Sequence, residues 1–442
     1  MSQPMHSRTH ATVFLFLGAA ALARAQQAPD CYIGSYRLTN GTLVDIAPDE
    51  KDTLSWTTFD GKTGGLYQSA GGRWVSTVGD TGRPDGKKLA FSDCGANGIQ
   101  FDGVPGHRVP LVVKDTTFES HSVMLAGRLV MPEGNDKVPV VVMIHGSDPT
   151  PALTSFFLQR MLPAVGVGAF VFDKRGTGKS GGKYTQDYSI LADDGVAAMR
   201  VARRMAGPRM GRIGYQGGSQ AGWVEPLAAN RAPVDFVIVC YGLAVNVIDE
   251  DQESVDLQLR ERGYSADEIA AGQSVARAAE NIWTSNFTKG FGQFDSLRAK
   301  YRQARWYKHL EGDYTWLFLP RSEQELRAMA PQFDWQVPFY YDPMPVLRSN
   351  TVPQLWILGG EDYQAPSAET RRRLDTLVAQ GRPFTIAYYP HAEHGMTLFE
   401  TGKDGSRTMT QYAPGYFKMI RDFAVDGRLH GAYGDAQVTA RQ

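Results

Sequence analysis

Short apolar runs alternate with helical patterns along most of the chain. The runs that predict strands are Val138–Ile144, Val167–Phe172, Arg212–Tyr215, Val234–Cys240, Gln354–Leu358 and Phe384–Tyr389. The segments that predict helices are Ala152–Leu162, Leu191–Met205, Gln220–Ala229, Ala368–Ala379 and Tyr412–Phe423. Strands that are apolar along their whole length are buried on both faces, because helices cover both sides of such a sheet. The pattern therefore predicts an α/β fold with a mostly parallel, doubly wound sheet.

The first part of the chain is rich in turn dipeptides such as Asn40-Gly41 and Asp60-Gly61. Short β-type runs lie between these turns, at Tyr32–Leu38, Leu43–Ile46, Leu54–Phe59 and Arg73–Val78. A series of hairpins of this kind predicts a small all-β domain over residues 26–107. The α/β core then occupies residues 108–243 and 351–430, and it opens with a hairpin formed by Leu111–Val113 and Val123–Met131.

Residues 244–350 interrupt the α/β core. A structureless loop of this length is uncommon in a compact domain, and the sequence is helical in pattern. Ser265 and Glu268 form a capping box that opens a helix over Glu268–Asn281. The segment is dense in aromatic residues, and we expect most of them to form its own core. The others are expected to face the site as a helical lid.

The N-terminal residues have the pattern of an export signal. Ala11–Leu22 is apolar, and Ala23-Arg24-Ala25 has the small residues of a cleavage site, so residues 1–25 are predicted to be a signal peptide. The alternative is a membrane anchor, but the apolar run is shorter than the ~20 residues that span a bilayer. The prediction is a periplasmic or secreted protein without membrane insertion after cleavage. In an oxidising compartment we expect a Cys31–Cys94 disulfide and a buried free Cys240.

The charge balance narrows the possible partners. The formal net charge is -1 at pH 7, which provides no electrostatic footprint for nucleic acid and argues against a polyanionic substrate. With 42% hydrophobic residues the chain is able to form a sizeable core. We therefore expect a small-molecule partner. The sequence does not indicate an oligomeric state.

The stretch Gly217-Gly218-Ser219-Gln220-Ala221 follows an apolar strand and precedes a helical pattern. A sharp strand-to-helix turn that presents a serine needs small residues on both sides, because the flanking backbones approach closely. Gly217 and Ala221 meet that requirement, and they predict Ser219 as a nucleophile. The alternative is an ordinary glycine-rich turn in which Ser219 caps the helix.

A serine nucleophile needs a base, and the base needs a group that orients it. Glu361-Asp362 follows the strand Gln354–Leu358, and His391-Ala392-Glu393-His394 follows the next strand. The chain order of serine, acid and histidine, each beyond a strand end, is the order found on this type of sheet. We assign Asp362 and His394, and keep Glu361 and His391 as local alternatives.

The developing oxyanion of an acyl-transfer reaction needs backbone N–H donors. His145-Gly146-Ser147-Asp148 follows the first long buried strand, and Gln220 follows the predicted nucleophile. The amides of Ser147 and Gln220 are the candidates for the oxyanion hole.

These motifs resemble those of the α/β-hydrolase superfamily. The resemblance extends over about Thr117 to Phe423 without the insertion, and it includes Asp173-Lys174-Arg175-Gly176-Thr177-Gly178-Lys179-Ser180, which is similar to a loop common in that superfamily. Exported bacterial esterases of the dienelactone-hydrolase type and serine-aminopeptidase-like hydrolases are the most similar branches. The resemblance implies the α/β-hydrolase fold and the roles assigned above. It implies no substrate, because one fold hosts many functions.

Two shorter patterns resemble known motifs but lack their required residues or order. Gly178-Lys179-Ser180 resembles the end of a P-loop, but Asp173 stands where that motif requires glycine. The sequence His391-Ala392-Glu393-His394 lacks the order of a zinc motif, so no metal and no cofactor are expected. The prediction is a serine hydrolase that cleaves a carboxylic ester. Its rivals are a peptidase or an acyltransferase on the same fold, and a non-catalytic binding module, which would have a broken triad.

Overall fold

A computed structural model describes residues 30–49, 53–69 and 73–440. The predicted signal peptide, residues 1–25, lies outside the described residues. Within the described ranges, none of the helices has the length and apolar character needed to cross a membrane.

The first eight strands form a closed antiparallel barrel. They are β1 Gly34–Leu38, β2 Leu43–Pro48, β3 Leu54–Thr58, β4 Thr63–Gln68, β5 Trp74–Thr77, β6 Pro84–Phe91, β7 Gly98–Phe101 and β8 Val104–Arg108. The barrel closes where Tyr36 of β1 lies opposite Arg108 of β8. Its interior is filled by side chains, among which Trp56 and Tyr36 are almost completely buried. The hairpin pattern predicted the strands but did not predict that the sheet would close.

The predicted disulfide is confirmed. Cys31 and Cys94 are bonded, with their Cα atoms 5.5 Å apart. Cys240 is free and buried at the end of a central strand. The bond joins the N-terminal end of the barrel to the turn before β7.

The remaining strands are β9 Leu111–Ser120, β10 Val123–Pro132, β11 Val138–Ile144, β12 Gly168–Phe172, β13 Met210–Gly218, β14 Phe236–Cys240, β15 Gln354–Gly359, β16 Phe384–Tyr389, β17 Thr397–Thr401, β18 Arg407–Tyr412 and β19 Gln437–Ala440. Nine of them form one sheet in the order β19-β16-β15-β14-β13-β11-β12-β10-β9. The adjacent strands β16, β15, β14, β13, β11 and β12 are parallel to one another. The predicted mostly parallel sheet is confirmed, and β17 and β18 pair separately as a hairpin.

The helices are α1 Ala152–Ser155, α2 Leu158–Met161, α3 Tyr188–Ala206, α4 Ala221–Arg231, α5 Val247–Glu261, α6 Ala266–Thr284, α7 Phe291–Tyr301, α8 Thr315–Phe318, α9 Glu323–Met329, α10 Met344–Ser349, α11 Ser367–Ala379 and α12 Tyr416–Asp426. One face of the sheet packs against α3, α4 and α11, and the other packs against α1, α2 and α12. The alternation along β11 shows this directly, because Val140 and Val142 lie in the first core and Val141 lies in the second. The doubly wound arrangement follows from these two cores.

Two predicted helices are wrong in their extent. The helix expected over Ala152–Leu162 is broken at Phe156, whose backbone is extended. The Gln159 side chain donates to carbonyl oxygens of α1 and of Phe156, and so satisfies groups that a continuous helix would have paired internally. The helix expected from Tyr412 begins at Tyr416 instead, since Tyr412 belongs to β18 and Gly415 adopts a left-handed conformation before the helix.

The insertion is helical, as predicted, and runs from α5 to α10. The Ser265–Glu268 capping box is confirmed, and it opens α6 at Ala266. Most of the aromatic side chains do form a core. Trp283 packs against Tyr314 at 4.5 Å and against Phe339 at 4.9 Å between ring centroids. That core is continuous with the one beneath α3 and α4.

The barrel contacts the α/β core on more than one side. Asp45 accepts two hydrogen bonds from Arg160 of α2, at 3.1 and 2.6 Å. On another side of the barrel, the Tyr412 amide of β18 donates to the Gly61 carbonyl at 2.8 Å. The hairpin β17–β18 directly follows the loop that carries His394, so the barrel supports that loop.

Candidate active site

Ser219 lies between the end of β13 and the start of α4. Its φ is +57°, a left-handed value that is uncommon for a residue with a side chain. The turn needs its glycines, because a Cβ at Gly217 would collide with the Ile144 carbonyl oxygen, and one at Gly218 would collide with the Tyr241 ring. This is the local geometry of a nucleophile elbow, in which the strained turn exposes the serine side chain beyond the sheet.

Asp362 and His394 are joined by hydrogen bonds. His394 Nδ1 donates to the Asp362 carboxylate, with N···O distances of 3.0 and 3.1 Å. The Asp362 side chain is fully buried, and the His394 side chain is 17% exposed. The amides of Gln364 and Ala365 also donate to Asp362 Oδ1, at 3.0 and 2.7 Å. The carboxylate is therefore fixed, and it leaves His394 Nε2 available for a second partner.

Glu361 and His391, the alternatives to Asp362 and His394, also form a histidine–carboxylate pair. His391 Nδ1 lies 3.2 Å from Glu361 Oε1, but the His391 side chain is 73% exposed. Solvent screens a charge pair of this kind, whereas the buried pair interacts in a lower dielectric. The buried position favours Asp362 and His394 for proton transfer.

No hydrogen bond joins Ser219 Oγ to His394 within the described ranges. The structure brings the acid and the histidine together, and it places the serine at the end of a strand two places along the sheet from β15. Catalytic hydrogen bonds are often long or poorly aligned in unliganded structures and tighten when substrate binds.

Tyr241, which was not predicted from the sequence, lies between the serine turn and His394. Its ring packs against Gly218, next to Ser219. It also lies edge-on to the His394 ring, with centroids 4.8 Å apart. Tyr241 directly follows β14, so its position at the end of a strand was the signal that could have identified it. The ring holds the imidazole on the side of the site that faces the elbow.

The predicted oxyanion donors lie at the same edge of the sheet. A Cβ built on Gly146 would lie 3.7 Å from Ser219 Cβ, so the turn after β11 adjoins the elbow. Gln220 directly precedes α4, and its N–H is among those at a helix start that have no acceptor within the helix. Ser147 is exposed in the turn after β11. Both residues therefore adjoin the predicted nucleophile.

The loop after β12 has a structural role. Asp173 is buried, and it accepts hydrogen bonds from the amides of Leu153 and Lys179 at 2.9 and 2.8 Å. Arg175 forms a buried bidentate pair with Asp194, at 2.7 and 2.5 Å. These contacts fix the loop beside the turn after β11. Within the described ranges, no group of three or more His, Cys, Asp or Glu side chains is arranged to hold a metal ion.

The electrostatics of His394 suit a general base. Burial by itself lowers the pKa of the imidazole, but the Asp362 charge and hydrogen bond outweigh it, so the pKa of His394 is raised above its ordinary value. A base must be unprotonated to accept a proton from a serine hydroxyl. If His394 is that base, its raised pKa would move the acid limit of activity upward.

We expect the acid limb of kcat/KM to have its midpoint above pH 6.5, the ordinary pKa of histidine. Asp362→Asn should move this limb to lower pH as well as reduce the rate, because the attraction that raises the pKa is lost. His391→Ala is the matched control and should leave the limb in place. A limb that moved with His391 and not with Asp362 would mean that the exposed pair carries the proton.

A comparison with models of known protein families finds no match, and a comparison with curated proteins finds none either. Among solved structures, the chain is similar to an acylaminoacyl peptidase from Pyrococcus horikoshii, with 15% identity and a TM-score of 0.43 over 88% of this chain. The chain spans only 57% of the length of that peptidase. It is also similar to an esterase from Pyrococcus furiosus, with 15% identity and a TM-score of 0.40 over 64% of this chain and 84% of the esterase. An esterase from Pyrobaculum calidifontis has 17% identity and a TM-score of 0.40, over 64% of this chain and 77% of its own. These likenesses are distant, and the roles of the residues rest on the geometry described above.

Proposed function

We propose that this protein is a serine hydrolase that cleaves a carboxylic ester through an acyl-enzyme. The observation that carries the proposal is the buried Asp362–His394 pair at the edge of the sheet where the strained turn presents Ser219. A non-catalytic binding module has no need for a strained serine and a buried acid–histidine pair at one edge. The combination is costly to maintain without catalysis.

In the proposed mechanism Ser219 Oγ attacks the ester carbonyl carbon, and His394 Nε2 takes the hydroxyl proton. The carbonyl π electrons move to oxygen, and the amides of Ser147 and Gln220 bind that oxyanion. Collapse of the tetrahedral intermediate expels the alcohol, which receives the proton from His394. Water then attacks the acyl carbon, and His394 takes its proton. The bond from the acyl carbon to Ser219 Oγ breaks, Oγ recovers the proton from His394, and the acid product leaves. Asp362 fixes the imidazole tautomer and orients the ring.

We propose export to the periplasm or beyond. The predicted signal peptide and the Cys31–Cys94 disulfide support this location, because such bonds persist in oxidising compartments.

We also propose that the insertion, residues 244–350, is a lid that selects the substrate. On one side, Ser254 Oγ of α5 donates to the Tyr363 carbonyl at 2.5 Å, next to Asp362. On the other side, Trp335 packs edge-on against Tyr184 with centroids 5.9 Å apart, and the Tyr184 hydroxyl donates to the Ser147 carbonyl. The insertion therefore contacts the acid loop directly, and it reaches the predicted oxyanion loop through Tyr184.

Truncation of insertion residues that pack on the α/β core should alter selectivity if the insertion is a lid. Tyr341 lies edge-on to Tyr188 at 5.4 Å, and Trp335 packs on Tyr184. We expect Trp335→Ala and Tyr341→Ala to reduce the preference for aromatic or long acyl esters over acetyl esters by roughly fivefold, since a lost aromatic contact costs about 1 kcal/mol. Tyr340→Ala is the matched control, because Tyr340 is 64% exposed. Unchanged selectivity in both variants would exclude the lid role.

A second candidate function is cleavage of a substrate that carries a free amine, as in an aminopeptidase. Acidic residues of the insertion favour it. Glu250 of α5 is almost fully buried, and its pKa is raised well above the ordinary value by burial and by the charges of Asp313 and Asp362. The Asp313 charge also raises the pKa of His394. An ammonium group bound near these carboxylates would compensate their mutual repulsion.

A paired substrate panel tests the two functions. One arm contains p-nitrophenyl esters of increasing acyl length, and the other contains aminoacyl-p-nitroanilides with matched N-acetylated controls. The esterase proposal expects turnover of the esters and little of the anilides. A peptidase would cleave anilides with a free amine, lose that activity on N-acetylation, and lose it again in Glu250→Gln. Failure to turn over either arm would contradict the proposed hydrolase.

A further inference from the structure

Lys174 is a buried cation beside the candidate active site. It follows β12, and only 2% of its surface is exposed. Its hydrogen-bond partners are the carbonyl oxygen of Gly146 at 2.5 Å, the carbonyl oxygen of Asp148 at 3.4 Å and Oε1 of Gln220 at 3.4 Å. None of these acceptors is a carboxylate. A buried ammonium that donates no hydrogen bond to a carboxylate is costly, so its presence calls for a role beyond packing.

The partners of Lys174 are the two segments that carry the predicted oxyanion donors. The Gly146 carbonyl and the Ser147 N–H belong to the same planar peptide, and in a trans peptide these two groups point in opposite directions. By holding the Gly146 oxygen, Lys174 directs the Ser147 N–H away from itself. The contact with the Gln220 side chain ties the second donor's residue to the same ammonium.

Tyr184 completes this arrangement. The Lys174 ammonium lies over the Tyr184 ring, 5.1 Å from its centroid. The Tyr184 hydroxyl donates to the Ser147 carbonyl. The peptide groups on both sides of Ser147 are therefore held, one by Lys174 and the other by Tyr184. A fixed donor costs little reorganisation when the oxyanion forms.

We propose that Lys174 is the positioning residue of the oxyanion hole: its ammonium orients the Ser147 amide through the Gly146 carbonyl and ties it to Gln220. This inference rests on the proposed serine hydrolase mechanism. Lys174 touches neither substrate nor Ser219 in this account. Its positive charge also polarises the Gly146–Ser147 peptide, which strengthens the N–H as a donor.

Burial and nearby charges determine the pH at which Lys174 loses its own charge. Burial lowers the pKa of Lys174 to about 8, and the Asp148 charge opposes that shift. Burial lowers the pKa of His145 to about 3, so that ring is neutral, and burial raises the pKa of Tyr184 to about 12. Arg175 is paired with Asp194. Lys174 is therefore the group of this cluster that loses charge near pH 8, and kcat should fall as it does.

The test compares Lys174→Met with Lys174→Arg and with Lys179→Met, an exposed lysine of the same loop. Active-site titration with an organophosphonate first counts the competent enzyme, so that a misfolded fraction does not lower the apparent rate. Per titrated site at pH 7, Lys174→Met should lower kcat by about 100-fold with KM little changed, as expected when an oxyanion donor is lost. The Ki of a trifluoromethyl ketone, which forms a tetrahedral adduct, should rise by a similar factor.

The pH profile separates positioning from packing. The wild-type protein should lose kcat above about pH 8, and Lys174→Met should lack that limb. Lys174→Arg should retain more activity than Lys174→Met and keep it to higher pH. A normal kcat per titrated site in Lys174→Met overturns the inference. If no Lys174 variant folds, the wild-type pH profile decides instead, and a kcat that does not fall above about pH 8 overturns the inference. If the phosphonate does not label Ser219 in the wild-type protein, the proposed function itself fails, and this inference fails with it.

Discussion

Replacement of Ser219 by alanine should abolish turnover, with kcat reduced by roughly 10³-fold or more. The reason is that the hydroxyl forms the bond to the acyl group, and no neighbouring side chain replaces it at the left-handed turn. Activity is measured on the best ester of the panel. Ser147→Ala is the matched control, because the role proposed for Ser147 uses its backbone N–H and a substitution of its side chain leaves that donor in place.

An Ser219→Ala variant with substantial activity would contradict the nucleophile assignment. A change in far-ultraviolet circular dichroism or in the thermal midpoint would show instead that the turn itself had failed. Alanine keeps a Cβ at a position of φ +57° where serine already has one, so we expect the fold to be retained.

Substitution of either residue of the buried Asp362–His394 pair should lower kcat by a similar factor. His394→Ala removes the base, and Asp362→Asn leaves the imidazole in the wrong tautomer, so each should lower kcat by roughly 10³-fold or more. The chain contains its own matched controls in His391→Ala and Glu361→Gln. These two residues form a second histidine–carboxylate pair with the same chain order, 30 residues apart against 32 for Asp362 and His394, but His391 lies in solvent. We expect both controls to retain activity within a few-fold, as is usual for exposed sites.

The opposite result, with His391→Ala inactive and His394→Ala active, would transfer the proton-transfer role to the exposed pair. The measured quantity is kcat per phosphonate-titrated site. Loss of activity in all four variants would indicate that the two adjacent loops act as one structural unit.

The sequence predicted the sheet and the order of the site residues because both depend on local patterns. Wholly apolar strands indicate burial on both faces, and the ends of parallel strands meet at one edge, where Ser219, Asp362 and His394 were expected. The need for glycine at position 217 was predictable for the same reason, since the close approach of the Ile144 backbone excludes a side chain there.

The features that were missed depend on contacts between distant residues. Closure of the barrel pairs Tyr36 with Arg108, and neither strand carries a signal for its partner. The edge strand β19 is exposed along its whole length, so it has no hydrophobic pattern. Tyr241 and Lys174 acquire their roles from rings and carbonyl oxygens on other strands. Without those contacts, Tyr241 is only a residue that follows a strand, and Lys174 is only a residue of the loop after β12.

The most direct measurement is covalent labelling of the full-length mature protein with an organophosphonate, followed by peptide mass mapping. An activated serine is required for this reaction, since an ordinary hydroxyl is a weak nucleophile. We predict one adduct per chain, located on Ser219, with loss of ester turnover in proportion to labelling, and much slower labelling in His394→Ala. An unlabelled protein, or an adduct at any other residue, would contradict the assignment of this protein as a serine hydrolase that acts through Ser219.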